Sequence, residues 1–127
     1  MTDQNQCFAV IPAYEPRNEL LSVVDRLGQI APDLRIIVVN DGSRTLAAQK
    51  VFARVRNTPN CKLLEHEENQ GKGAALKTGF QDILDQSPAN GTVVTADADG
   101  QHLPADIVKV ITEGARTSAA VLGVRKF

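Results

Sequence analysis

The sequence predicts an α/β fold in which a mostly parallel, Rossmann-like sheet is flanked by helices on both faces. Three observations predict it. Short apolar runs alternate along the chain with stretches whose apolar residues recur at helical spacing. The run Arg35–Asn40 is continuously β-branched rather than alternating, as in a parallel strand covered on both sides. The strand-like runs end in proline or in polar, Asp- and Gly-containing loops.

The first strand is Cys7–Ile11, stopped at Pro12. Asn18, a good N-cap, then precedes Leu20, Val23, Val24 and Leu27 on one helical stripe. Arg35–Asn40 is the second strand, broken by Asp41-Gly42-Ser43, and Ser43 can cap the helix carrying Ala48, Val51, Phe52 and Val55. A short third strand spans Cys61–Glu65, and Leu76, Phe80, Ile83 and Leu84 form a third helical stripe. Thr92–Ala96 is the fourth strand. Pro104 suits the first turn of a helix carrying Ile107, Val110 and Ile111, and Ala119–Val124 is a fifth strand. Five strands with four crossover helices direct attention to the loops after the strands, which begin at Ala13, Asp41, His66, Asp97 and Arg125, because open α/β sheets bind ligands outside their carboxyl ends.

Composition narrows the function classes. The 127 residues fit one domain, with 43% apolar residues to build its core. Fourteen Lys and Arg against 15 Asp and Glu leave a formal charge of −1, without the basic excess that nonspecific nucleic-acid binding uses. Cys7 and Cys61 are too few for a disulfide scaffold and have no partners at metal-ligand spacing, so they read as two small buried thiols in a reducing compartment. No run reaches the roughly 20 residues of a bilayer span, and the first residues lack the pattern of a signal peptide. The chain as given therefore reads as soluble.

The strongest chemical signal is Asp97-Ala98-Asp99-Gly100-Gln101-His102, directly after an apolar strand. In extended chain Asp97 and Asp99 project to the same side, so they can converge on one hard cation such as Mg²⁺ or Mn²⁺, or on a cation and a ribose. An Asp-rich turn closing the strand is the plain alternative. A haloacid dehalogenase-type phosphatase also uses D-x-D-G after a strand, but on the first strand and with Thr or Val next, where Gln101 stands here. An EF-hand register covers Thr95, Asp97, Asp99, Gly100 and Asp106, yet requires an acid where Thr95 stands and helices on both sides.

A second signal is His66-Glu67-Glu68-Asn69-Gln70-Gly71-Lys72-Gly73 before a helix. Its glycines and the helix N-terminus can approach a nucleotide, with N–H groups and Lys72 aimed at anionic atoms; a capping loop is the structural alternative. A P-loop needs Ser or Thr after Lys72, where Gly73 stands, and Leu76 replaces the third glycine of a dinucleotide fingerprint. Asp41 can accept from a base N–H or open an Asp-Gly turn. His66 and His102 share no spacing that demands a metal and read as solvated loop histidines. Arg125 can reach a pyrophosphate or stand as a surface arginine.

Taken in order, Val10–Glu15, Val38–Ser43, Asn69–Gly73 and Asp97–His102 resemble glycosyltransferase family 2, and most closely its polyprenyl-phosphate branch, which includes dolichyl-phosphate mannose synthases. The resemblance covers essentially the whole chain. Leu122–Arg125 also has a counterpart there, although Val124 departs from the usual Gly-Ser-Arg, and Ala13-Tyr14-Glu15-Pro16 replaces the common Ala-Tyr-Asn-Glu.

The resemblance implies a GT-A fold and an inverting transfer from a UDP- or GDP-linked sugar, with a polyprenyl phosphate as a possible acceptor. It assigns Pro12, Ala13, Tyr14, Glu15 and Asp41 to the base and ribose, and Asp97, Asp99 and Gln101 to Mg²⁺ or Mn²⁺. Gly71, Lys72 and Ala98 complete the expected nucleotide-sugar contacts, and Asp99 and Arg125 are the expected catalytic residues. It further implies that residues 1–127 are the donor-binding part of a longer catalytic domain, with the acceptor half and any membrane-associating segment beyond Phe127. The expected location is the cytoplasm, at the cytoplasmic face of a membrane.

Overall fold

A computed structural model describes residues 6–86 and 91–98. The strands β1 (Gln6–Ala13), β2 (Arg35–Asp41), β3 (Cys61–His66) and β4 (Gly91–Thr95) are all parallel and lie in the order β3-β2-β1-β4. The helices α1 (Asn18–Ile30), α2 (Leu46–Arg56) and α3 (Lys72–Gln86) connect them.

Two strands apolar at successive positions need cover on both faces, and the chain order supplies it. The connections β1-α1-β2 and β2-α2-β3 step along the sheet in one direction, whereas β3-α3-β4 returns to the far side of β1. Right-handed crossovers then put α3 on the face opposite α1 and α2. The packing follows that rule. Ala9, Ile11, Ile36 and Val38 join Leu20, Val24, Leu27, Phe52 and Val55 in one cluster, while Phe8, Val10, Ile37 and Val39 join Ala75 and Ile83 in the other. Adjacent residues of β1 thus feed opposite cores, and the pairings Ala9 with Ile36 and Ile11 with Val38 keep each set in register.

The third helix meets the sheet through small residues. Ala75, Gly79 and Ile83 are its buried positions, Leu76 and Phe80 flank them, and Leu84 is 65% exposed rather than in the stripe expected from the sequence. A Cβ at Gly79 would lie 2.5 Å from Cγ1 of Val10, so the close approach of α3 to β1 depends on that glycine.

Two expected caps are displaced by neighbouring turns. Asn18 is the first residue of α1, and Arg17 occupies the cap in extended conformation without a side-chain bond, because Glu15 (φ 50) and Pro16 have already turned the chain. Ser43 does not cap α2. Thr45 does, its Oγ1 accepting from the Ala48 N–H at 3.1 Å, while Ser43 is engaged with β1's loop. The helix expected after Pro104 and the fifth strand at 119–124 lie outside the described residues.

The reversal of direction makes the gap between β1 and β4 a topological switch point. Such points leave a crevice at the strands' carboxyl ends, which here collects Pro12, Ala13 and Tyr14 from β1 and its loop, and Asp97 and Ala98 after β4.

Candidate functional site at the strand ends

Asp41 ends β2 and is 3% exposed. Its Oδ1 accepts from the Gln70 N–H at 2.9 Å and lies 2.7 Å from His66 Nδ1; its Oδ2 accepts from the Gly71 N–H at 2.9 Å and the Asn69 side-chain amide at 3.0 Å. A carboxylate offers about four lone-pair sites, and all are used within the chain. Burial pushes the carboxyl up, but the Gln70 N–H, His66 and the Gly71 N–H outweigh it and hold it below the ordinary aspartate value. Asp41 therefore stays anionic near neutral pH and organises the loop from Asn69 to Gly71. An added base N–H reaches it by displacing a resident donor, and the Asn69 amide, shared with the Asp41 backbone carbonyl at 3.1 Å, is the longest of the four.

The same contact explains Gly42. It has φ 80, and a Cβ there would stand 2.3 Å from the backbone nitrogen of Asn69 and 2.5 Å from the carbonyl carbon of Glu68. Only glycine lets the two loops meet so closely.

Glu15 ties the first loop to the second. Its N–H donates to Ser43 Oγ at 2.8 Å, and its carboxylate accepts from the Arg44 N–H at 2.7 Å and from the Thr45 hydroxyl. The Thr45 hydroxyl first, then the Arg44 N–H, hold its carboxyl below the usual glutamate range. An anionic group just before α2 also complements the positive end of that helix. Tyr14, Glu15, Pro16, Arg17, Glu19 and Ala98 line a cavity of about 290 Å³ beside this turn, and Tyr14 is 56% exposed at its edge.

Lys72 opens α3 and reaches across the switch point. Its Nζ donates to Asp97 Oδ1 at 2.9 Å. A carboxylate such as that of Asp97 is a hard oxygen ligand of the kind Mg²⁺ and Mn²⁺ favour, and its Oδ1 here holds the Lys72 ammonium. Asp99, Gln101 and Arg125, the remaining expected metal-binding and catalytic residues, lie outside the described residues. Among the described residues no three His, Cys, Asp or Glu side chains group as a metal site by themselves.

The structure thus joins Asp41 to Gly71, Lys72 to Asp97, and Tyr14, Glu15 and Ala98 around one cavity; Pro12 and Ala13 bring β1 to that edge. Several participants carried no sequence signal of their own. His66, expected as a solvated loop residue, is the last residue of β3 with a side chain 8% exposed, packed between Asp41 and Thr78. Thr45 and Thr78 carry no such signal, and Asn69 and Gln70 stand within the His66–Gly73 segment without a role of their own. The pairing of Asp41 with His66 across β2 and β3 was the available clue, but it requires the strand register.

The thiols are free of each other, as expected, but only partly buried rather than buried, because each sits at the edge of the core. Cys7 and Cys61 are unpaired, half-buried thiols, and burial, followed by the charge of Asp25, pushes Cys61 up to about 11. Neither property suggests a nucleophile at neutral pH.

Comparison with known proteins completes this picture. The family model for glycosyl transferase family 2 matches residues 8–127. An undecaprenyl-phosphate mannosyltransferase of Micrococcus luteus is 28% identical over 94% of the chain and 48% of its own length. A UDP-N-acetylglucosamine–dolichyl-phosphate N-acetylglucosaminyltransferase of Methanococcus voltae is 34% identical over 82% of the chain and 45% of its own. A polyprenol monophosphomannose synthase of Mycolicibacterium smegmatis is 29% identical over 82% and 39%. The chain spans about half the length, or less, of these relatives. With a parallel α/β sheet of the GT-A kind and a family match over nearly every residue, the chain belongs to glycosyl transferase family 2.

Proposed function

We propose that the chain forms the donor side of a metal-dependent, inverting glycosyltransferase that takes a UDP- or GDP-linked sugar and delivers it to a polyprenyl phosphate. The observation that carries the reading is the meeting of Lys72 and Asp97 at the switch point of a family 2 domain. The relatives' names, which specify undecaprenyl, dolichyl and polyprenol acceptors, support the acceptor class.

In this reading Pro12, Ala13, Tyr14 and Glu15 shape the cavity edge that receives the base and ribose. Asp41 holds the loop whose Gly71 and Lys72 face the diphosphate, with its own contact to the base through exchange with Asn69. Asp97, Asp99 and Gln101 would hold Mg²⁺ or Mn²⁺, which would supply positive charge against the departing nucleoside diphosphate. Ala98 borders the same cavity, Arg125 would add positive charge beside the leaving group, and Asp99 would act through the cation it helps to hold.

An acceptor oxygen attacks the anomeric carbon as the bond to the β-phosphate oxygen breaks, inverting that carbon, and the bonding electrons leave on the phosphate. A phosphomonoester acceptor, with a second pKa of about 6, is already ionised near neutral pH, so the chain need supply no strong base. The reaction then belongs at a membrane surface, on the cytoplasmic side where nucleotide-sugars serve as donors. No helix among the described residues is long and apolar enough to cross a membrane.

Calorimetric titration with UDP and GDP, each with Mn²⁺ and with EDTA, tests the donor reading. The expected result is binding of one nucleotide that strengthens with Mn²⁺. Equal affinity in both media removes the metal from the site, and no binding of either nucleotide overturns the reading.

A further inference from the structure

The carboxylate of Asp41 is locked from behind by a residue that touches none of the proposed ligand positions. His66 stands at the end of β3 with its ring between two partners: Nδ1 is 2.7 Å from Asp41 Oδ1 and Nε2 is 2.7 Å from Thr78 Oγ1, on the second turn of α3. The side chains of His66 and Asp41 are 8% and 4% exposed. Water cannot easily replace either bond.

Hydrogen-bond accounting fixes the direction of this chain. Asp41 is ionised and also receives the Gln70 N–H on the same oxygen, so it only accepts, and Nδ1 must carry the hydrogen. Thr78 Oγ1 can give its single hydrogen to Ala74 O, 3.0 Å away, and then receives Nε2–H; or it turns and donates to a bare Nε2. Both arrangements keep Nδ1–H on Asp41. Thr78 therefore acts as a two-way anchor that preserves the useful ring orientation whichever state the far nitrogen adopts.

We propose that His66 is a positioning residue of the donor site: with Nε2 anchored on Thr78 of α3, it aims the Asp41 carboxylate so that Oδ1 and Oδ2 capture Gln70, Gly71 and Asn69 and set the loop that receives the nucleotide. The inference rests on the donor-site reading for its consequence, but its geometry stands within the chain. Three elements, β2, β3 and α3, are joined by it at the edge where the β3–α3 loop turns into the N-terminus of α3. Losing Nδ1–H leaves Oδ1 of a buried carboxylate one donor short, with only the Gln70 N–H on that oxygen, and loosens its aim at the loop, so the effect reaches the nucleotide only through the loop.

The unaltered chain provides the first test. Nitrogen-15 spectra of the His66 ring between pH 6 and 8 should show Nδ1 protonated throughout; a bare Nδ1 with hydrogen only on Nε2 overturns the proposal outright. Substitution provides the second. His66→Phe fills the ring volume without donors, whereas His66→Asn places an amide N–H close to the Nδ1 position. With UDP or GDP, whichever the unaltered chain binds, His66→Phe should lose about tenfold or more in affinity and speed amide exchange at Gln70 and Gly71. His66→Asn should recover most of both.

Equal affinity and exchange in His66→Phe and the unaltered chain refute the role. Equal losses in His66→Phe and His66→Asn assign the effect to ring packing instead, which also refutes it. If the unaltered chain binds neither nucleotide, the donor-site reading fails by itself, and the ring spectrum and the exchange at Gln70 and Gly71 still decide whether His66 sets the loop. Should His66→Phe not fold, the ring spectrum and His66→Asn retain the test.

Discussion

Replacing Gly42 by alanine addresses the joint between the two loops most directly. The backbone at Gly42 has φ 80, a region that costs a residue bearing a Cβ about 1 kcal/mol. The new carbon would also lie 2.3 Å from the Asn69 nitrogen, against ordinary contacts that begin at 3.4 Å, so the loop must retreat by about 1.1 Å, the difference of the two. The obstacle is backbone, not the far end of a flexible side chain. Such a retreat takes the Gln70 and Gly71 N–H groups, both 2.9 Å from Asp41 oxygens, out of hydrogen-bond range. Losing these two bonds to a buried charge costs about 4 kcal/mol, at about 2 kcal/mol each, which with the backbone strain gives about 5 kcal/mol. For 127 residues that corresponds to a fall of about 20 °C in Tm. Gly71→Ala is the control: φ is 98, yet nothing lies within 4 Å of its added carbon, so only the backbone strain of about 1 kcal/mol should appear. Urea unfolding of both variants, with amide exchange at Gln70 and Gly71, checks the reasoning. Equal destabilisation of the two variants, or unchanged exchange in Gly42→Ala, refutes it.

The remaining expectations are shorter. Because the folded pKa of Asp41 lies below the ordinary aspartate value, its contribution is fully present above that unfolded value and disappears as pH falls through the lower, folded one. Asp41→Asn, which turns an amide donor toward resident N–H groups, should cost about 2 kcal/mol at pH 7 and flatten the acid side of the stability profile, read by urea unfolding from pH 7 to 3. Gly79→Ala gains about 1 kcal/mol of helix propensity but drives a carbon to 2.5 Å from Val10, so it should destabilise by about 1 kcal/mol net, and Val10→Ala in the same chain should relieve part of that loss in a double-mutant cycle. Asp97→Asn should abolish the Mn²⁺-dependent part of nucleotide affinity while the thermal melt without metal stays close to that of the unaltered chain; retention of that dependence argues that Asp97 is only a partner of Lys72.

The fold was legible because its signals are local or periodic. Four strands and three helical stripes lie where runs such as Arg35–Asn40 and the spacing of Leu20, Val23, Val24 and Leu27 put them. Where a stripe misled, tertiary packing outweighed periodicity: Leu84 has the right hydrophobicity and spacing, but Ala75 and Gly79 set the contact line, because small residues let α3 approach β1 closely. The cap of α2 moved from Ser43 to Thr45 for a comparable reason, since a hydroxyl claimed by the Glu15 N–H cannot also serve the helix. A sequence pattern records which groups can bond, and the competition among them is settled by elements far away in the chain.

The site divides along the same line. The alternation of strands and helices pointed to the loops beginning at Asp41 and Asp97, and the family resemblance added Gly71 and Lys72; the strand order that makes a switch point beside β1 came from the structure. What each side chain does there depends on pairings 25 to 30 residues apart, among them Asp41 with His66 and Gly71, Lys72 with Asp97, and Glu15 with Thr45. Those pairings change the meaning of the acidic residues. Seen singly, Glu15 and Asp41 would repel a diphosphate; in the folded chain both carboxylates are occupied by N–H and hydroxyl donors that tie one loop to the next. Their charge goes into preorganisation, so on the proposed donor-site reading the loops need little further ordering to receive a nucleotide. The acids that hold this frame and the acid that faces Lys72 are thereby separated into two tasks. Substitution of the first group should be read in stability and amide exchange, and substitution of the second in the metal dependence of binding.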